Sequence, residues 1–180
     1  ISYLFPRAHA VAYVMMAFRI AWFKVYHPLA FYAAYFSIRA KAFDLRIMTG
    51  DLKTQMTEFN RIKALDRAAS PKDKDLMSAL EVSMEMYQRG YRFVNVDIQH
   101  SEARRFSIKD GALLPPFLAI DSLGETVADA IVAEREERSF TSLKDLQRRC
   151  KVSNTIIDLM KELKCCGELP EDEQMSLFGA

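Results

Sequence analysis

The chain has 180 residues, half of them apolar and 27% charged, with a formal net charge of +1, which is a soluble globular composition with room for one or two modest cores. Cys150, Cys165 and Cys166 exclude a paired disulfide framework and a C-x-x-C metal spacing, and nothing at the N-terminus has the order of a secretory signal. The near-neutral total hides an asymmetry: residues 1–50 carry Arg7, Arg19, Lys24, Arg39, Lys41 and Arg46 against Asp44 alone, whereas residues 167–180 carry only acid, so the front is suited to face an anion.

The chain opens at Ile1 and runs straight into helix-forming sequence, as expected of a piece of a longer chain. Pro6 stands where a helix prefers to begin, and His9, Tyr13, Met16 and Ile20 then recur at helical spacing on one face. Pro28 predicts a second helix to about residue 39, rich in aromatics (Phe31, Tyr32, Tyr35, Phe36) and so buried on most sides. Residues 10–38 are apolar enough to raise a membrane span. Arg19, Lys24 and His27-Pro28 divide them into runs shorter than the ~18 residues such a span needs, and we read buried helices with no membrane segment. Asp44 is placed to cap a third helix. Residues 50–67 are charged and amphipathic, Ser70-Pro71 breaks that pattern, and residues 75–89 predict a strong helix ended by Gly90.

The character changes at Tyr91. Residues 93–94 and 96–98 are expected to be extended, and residues 104–108 and 112–114 to pair as a β-hairpin about an Asp110-Gly111 turn, closed by Pro115-Pro116. Helical sequence resumes with a short element at 117–120, a tight turn, and helices over 125–137, 142–149 and 153–163. The fold class is mainly α with a small β-hairpin. No internal repeat is visible.

Ile120-Asp121-Ser122-Leu123-Gly124, followed by Val127-Ala128 and Ile131-Val132, matches most of a helix-hairpin-helix. Its tight turn aims backbone N–H groups at the start of the second helix, where unpaired amides and the helix dipole hold a phosphate. Ser122, Leu123, Gly124, Glu125 and Thr126 are therefore candidate DNA-binding residues, with Ser122 standing where the pattern usually has glycine. The alternative is a plain helical corner packed by Leu123 and Val127. Arg7, His9 and Tyr13 could form an anion or nucleotide site, although composition favours a helix start with a capping imidazole and a core tyrosine. Asp73-Lys74-Asp75 follows a Pro at a helix start, where acid is favoured anyway, and no metal or catalytic centre is indicated. Gln174-Met175-Ser176-Leu177-Phe178 puts two large apolar side chains behind an acidic segment with Pro and Gly. It reads as a flexible linear motif whose amide sets register and whose apolar pair fills a groove, or else as a terminus folded back on the body.

The run from Tyr3 through Phe5-Pro6-Arg7-Ala8-His9 to Tyr13, then Ala21-Trp22-Phe23-Lys24 and His27-Pro28, resembles the fingers of the bacterial DNA polymerase III α subunit. With Leu113-Leu114-Pro115-Pro116-Phe117 and a terminal Q-x-S-L-F, it is similar to the PolC type of low-GC Gram-positive bacteria. The resemblance implies that residues 1–95 finish the fingers, 96–166 form a helix-hairpin-helix region on duplex DNA, and 167–180 form a tail on the β sliding clamp. It implies a cytoplasmic, template-directed polymerase using deoxynucleoside triphosphates (dNTPs), with Arg7, His9 and Tyr13 near the incoming dNTP. Mg²⁺ would be held by palm aspartates outside this chain, leaving the chain itself inactive. Met175 for the commoner Leu is a volume-conserving change in the clamp motif. The alternative is a non-enzymatic adaptor that binds DNA through the hairpin and rides the clamp.

Overall fold

In the computed structural model, which describes residues 6–172, Pro6 leads into α1 (Arg7–Tyr26). His27-Pro28 bends the chain into α2 (Pro28–Ala34), which runs on as a π-helical segment, Tyr35–Arg39, closed by an Ala40 N–H to Tyr35 C=O bond of 3.0 Å. Next come α3 (Leu45–Met48), α4 (Leu52–Leu65) and α5 (Pro71–Gln88), then a hairpin of β1 (Ser107–Lys109) and β2 (Ala112–Leu114). A 3₁₀ turn at Phe117–Ala119 precedes α6 (Glu125–Glu137), α7 (Leu143–Cys150) and α8 (Asn154–Glu162).

The helix starts follow from local chemistry. Asp44, Asp51, Ser142 and Ser153 each accept a backbone N–H three residues on, which satisfies amides the helix cannot. Ser70 and Asp73 form a reciprocal capping box with Pro71 in the first turn, so α5 begins four residues earlier than expected: the Ser-Pro pair starts this helix rather than breaking the chain. That use of Asp73 also accounts for half of the D-x-D as a cap. Gly90, at φ 86°, ends α5 in a Schellman motif, with Tyr91 N–H on Met86 C=O (3.1 Å) and Gly90 N–H on Tyr87 C=O (2.9 Å). Asp110 and Gly111, at φ 50° and 75°, make the two-residue turn of the β-hairpin, in register Ser107 to Leu114. Residues 96–98 form no strand; the only extended pairing there is a bridge from Phe93 to Leu113.

Two apolar clusters form. Tyr32, Phe36, Met48, Ile62, Leu80 and Met86 centre the first, and Phe106 and Leu113 of the hairpin region pack into it. Ile98, Phe117, Ile120, Ile131, Leu146 and Met160 centre the second, to which α3 contributes Leu45. Phe36, Phe43, Phe93 and Phe106 stack edge-on at the seam, with Phe36 to Phe93 at 4.9 Å and Phe43 to Phe106 at 5.0 Å. Buried Gln55 is satisfied by Met48 C=O and Ser83 Oγ, and no buried side-chain polar atom among the described residues lacks a partner.

The expectation of a buried first helix is overturned. No residue of α1 is buried, and Tyr13, Met16 and Ile20 are among the exposed apolar side chains. Arg19 and Lys24 do not divide it either, because both are good helix formers and the helix runs through them. At 20 residues and a mean hydropathy of 1.2, α1 is long and apolar enough to cross a membrane by length and composition. Its apolar groups lie all round its axis, and its C-terminal end is fastened to the body, where Lys24 pairs with Glu85 at 2.6 Å.

Candidate nucleic-acid interface

The hairpin before α6 is built by one buried side chain and one unusual backbone angle. Leu123 is buried in the second core, and its N–H bonds Ile120 C=O at 3.2 Å, pulling the turn inward. Ser122 supplies the reversal in the left-handed region, at φ 64°. The serine that departs from the usual glycine therefore takes the conformation a glycine would give. Gly124 is the N-cap of α6 and has no side-chain cap. Its C=O accepts from Val127 and Ala128 N–H at 3.1 and 3.0 Å, and Glu125 and Thr126 at the exposed helix start receive no cap from it. A Cβ built on Gly124 meets no atom within 4 Å, so the space in front of this helix start is open.

The local charge is mixed. Glu125 and Asp129, one turn apart on α6, would both oppose a phosphate, but Arg104 spans them. It bonds Asp129 through Nε at 3.0 Å and Nη2 at 2.5 Å, and Glu125 through Nη1. These bonds hold the Asp129 carboxyl below its ordinary pKa and raise that of Arg104. Arg104 was not singled out by sequence, because the two carboxylates it joins are more than twenty residues away.

A second corner lies between α7 and α8. Lys151 is left-handed at φ 54°, Val152 is buried, and Ser153 caps α8. Behind it, Asp145 is 1% exposed and accepts from Arg148 at 2.9 Å, Arg149 at 3.3 Å and the Thr141 N–H at 3.3 Å. Burial alone raises the Asp145 pKa, but these donors outweigh it and hold the carboxyl below its ordinary value. The acidic segment after α8 is fastened here too: Leu143 and Lys144 N–H donate to Pro170 and Glu171 C=O, and Lys144–Asp172 and Lys161–Glu171 ion pairs flank them.

Arg7, His9 and Tyr13 all sit in the exposed first two turns of α1. His9 and Tyr13 meet edge to face at 4.4 Å between centroids. The candidate residues Gln174, Met175, Ser176, Leu177 and Phe178 lie outside the described residues. A cleft of about 430 Å³ beside the hairpin brings Lys41 and Lys72 against Asp44, Asp75 and Asp121, a balance that does not suit a polyphosphate. Among the described residues no group of three or more His, Cys, Asp or Glu is arranged to hold a metal ion. The cysteines are free and buried, and burial pushes Cys150 up to about 11 and Cys165 up to about 12, which leaves them unreactive thiols.

A family model described as "Helix-hairpin-helix motif" matches residues 90–174. The chain is 48% identical over 178 residues to a DNA polymerase III PolC-type from Caldanaerobacter subterraneus subsp. tengcongensis, covering 99% of this chain and 13% of that protein. It is 49% identical over 181 residues to the protein of the same name from Streptococcus suis, and 46% to that from Streptococcus pyogenes serotype M12, in each case covering 99% of this chain and 12% of the relative. The chain thus spans about an eighth of the length of the curated relatives it matches.

Proposed function

Because the chain belongs to the DNA polymerase III PolC-type family, as a small part of its relatives' length, we propose that it is a substrate-holding segment of a replicative DNA polymerase. In that reading the polymerase joins dNTPs to a primer under template direction in the cytoplasm. This segment holds the primer-template duplex at the hairpin, meets the incoming dNTP with Arg7, His9 and Tyr13, and grips the β sliding clamp with Gln174–Phe178. The carrying observation is the open, uncapped start of α6 behind the Ser122–Gly124 turn. Backbone amides there see phosphate and not base, so binding is independent of sequence.

Phosphoryl transfer by paired Mg²⁺ ions needs carboxylates set to share the metals; in this reading Mg²⁺ would be held elsewhere in the polymerase, and the segment alone would incorporate no nucleotide. The exposed apolar α1 fits this reading, since the remaining seven-eighths of a relative offers a surface to cover it. A clamp-riding adaptor would have no use for such a helix.

Duplex binding by the chain and by Gly124→Val, at low and moderate salt, tests the hairpin. The added side chain points into open space, so the fold should hold while phosphate is kept away. Weaker, sequence-independent binding by the variant is expected. Equal affinities, or no binding by the parent, would remove the hairpin from the account.

A further inference from the structure

Among the described residues α1 is fastened at its C-terminal end, and what holds it there can be read from the chain. In a helix the Lys24 C=O would accept from the N–H four residues on, but that residue is Pro28, which has none. The missing donor comes from another element. Arg89, the residue that closes α5, donates from Nη2 to Lys24 C=O at 2.8 Å. Its Nη1 bonds the hydroxyl of Tyr32 at 3.1 Å, and Tyr32 is wholly buried, so the guanidinium is fixed to the first core while it holds the helix end. The Lys24 ammonium in turn reaches Glu85 at 2.6 Å and lies over the Phe31 ring at 5.3 Å. A positive charge at a helix C-terminus is also favoured by the helix dipole.

We propose that Arg89 is a positioning residue for nucleotide use: it replaces the donor lost at Pro28 and so fixes the direction of α1, whose far end carries Arg7, His9 and Tyr13. The inference rests on the reading that those three residues meet the incoming dNTP. The leverage is large, because Lys24 and Arg7 are separated by about 26 Å of helix at 1.5 Å per residue. A swing of about 5° at the fastening moves the Arg7 end by about 2 Å, and displacements of that order cost up to about a hundredfold in a reaction that depends on alignment.

The test uses the full-length polymerase with Arg89→Met, which keeps the stem and removes both donors, beside Arg89→Lys, which keeps a charge and a donor. Spin labels at Ala12 and Lys74, introduced as unnatural amino acids, report the direction of α1 against α5. Arg89→Met should broaden that distance distribution and raise the KM for dNTP by about three- to tenfold while primer-template affinity stays unchanged, with Arg89→Lys in between. Rescue of this kind is not expected of a residue that only supports the fold, and if Arg89→Met does not fold, the Lys variant still decides the case. An unchanged distance distribution and unchanged KM in either folded variant, in an enzyme whose Arg7→Ala form is impaired, would overturn the inference alone. If Arg7→Ala and Tyr13→Ala leave nucleotide use intact, the nucleotide reading falls and takes this inference with it.

Discussion

Ser122 and Lys151 hold the same left-handed backbone, φ 64° and 54°, at matching places in two helical corners. Each is followed by a buried apolar residue, Leu123 or Val152, and then by the N-cap of a helix, Gly124 or Ser153. The two corners are the same device made from different residues: the buried side chain pulls the turn inward and the left-handed residue before it lets the chain reverse. Lys164, at φ 56°, does a related job after α8, where Cys165 N–H bonds Met160 C=O at 2.9 Å in a Schellman closure.

A left-handed angle at a residue with a Cβ costs about 1–2 kcal/mol, less for small polar residues, whereas glycine takes it freely but loses more chain entropy on folding. Ser122→Gly should therefore leave stability within about 1 kcal/mol of the parent, while Ser122→Val should lose about 1–2 kcal/mol through a strained, β-branched residue. Urea unfolding of the two variants checks this. A Val variant as stable as the Gly variant would mean that the turn is free to adopt another shape.

These corners also mark where sequence reasoning stopped. Asp44, Gly90 and Asp110-Gly111 announced themselves because a cap or a turn of that kind is set by side chains within three residues. Ser122 was marked only by standing where the helix-hairpin-helix pattern usually has glycine, and Lys151 and Lys164 not at all, because core packing imposes their left-handed angles and no glycine marks them; the matching of the two corners was invisible as a repeat for the same reason. The exposure of α1 was hidden differently. Its residues have the composition of a core helix, yet none of them is buried, and composition does not tell whether a partner surface is present. Arg104 and Arg89 act across 21 to 65 residues of chain, beyond the reach of any local pattern.

Arg104 should matter more for DNA than for stability. Its ion pairs to Glu125 and Asp129 are solvent-exposed and contribute little to the fold. Without it, two carboxylates stand unneutralised beside the helix start that would receive a phosphate. Arg104→Ala is expected to weaken duplex binding by about tenfold at low salt, and Arg104→Ala with Glu125→Gln to recover part of the loss. Fluorescence anisotropy with a labelled duplex measures both; an unaffected single variant would place the phosphate elsewhere.

Asp145 gives the second corner its pH dependence. Its carboxyl is held below the ordinary value in the folded chain, so its stabilisation is fully present above the unfolded pKa of about 3.9 and is lost as pH falls through the folded value. Asp145→Asn removes the carboxylate charge that Arg148 and Arg149 share, while Glu134 still pairs with Arg149 at 2.9 Å, so the variant should be less stable than the parent at pH 7. Urea midpoints of parent and variant should differ widely at pH 7 and converge as pH drops below 4. A gap that stays constant with pH would show that the carboxylate charge is not what stabilises this corner.

The described chain is fastened firmly up to its last residues. Leu169 packs against the second core, Pro170 and Glu171 take two amides of α7, and the last ion pair, Lys144–Asp172 at 2.5 Å, is made two residues before Gln174. The proposed clamp contact therefore begins almost at the anchor, with Gln174 setting register and Leu177 and Phe178 filling an apolar groove. Burying each of those two side chains is worth about 1.5–3 kcal/mol, so replacing both by Ala should weaken clamp binding at least about a hundredfold. Stability should barely change if the pair is spent on the clamp, while processive synthesis by the full polymerase should fall to the clamp-free level. Titrating a fluorescent peptide of residues 168–180 and its double-Ala form against purified clamp isolates the contact, and melting curves of the two full chains report on the fold. Superimposable peptide titrations, or a double variant that keeps clamp-dependent processivity and instead melts early, would show that Leu177 and Phe178 pack on this chain and not on the clamp.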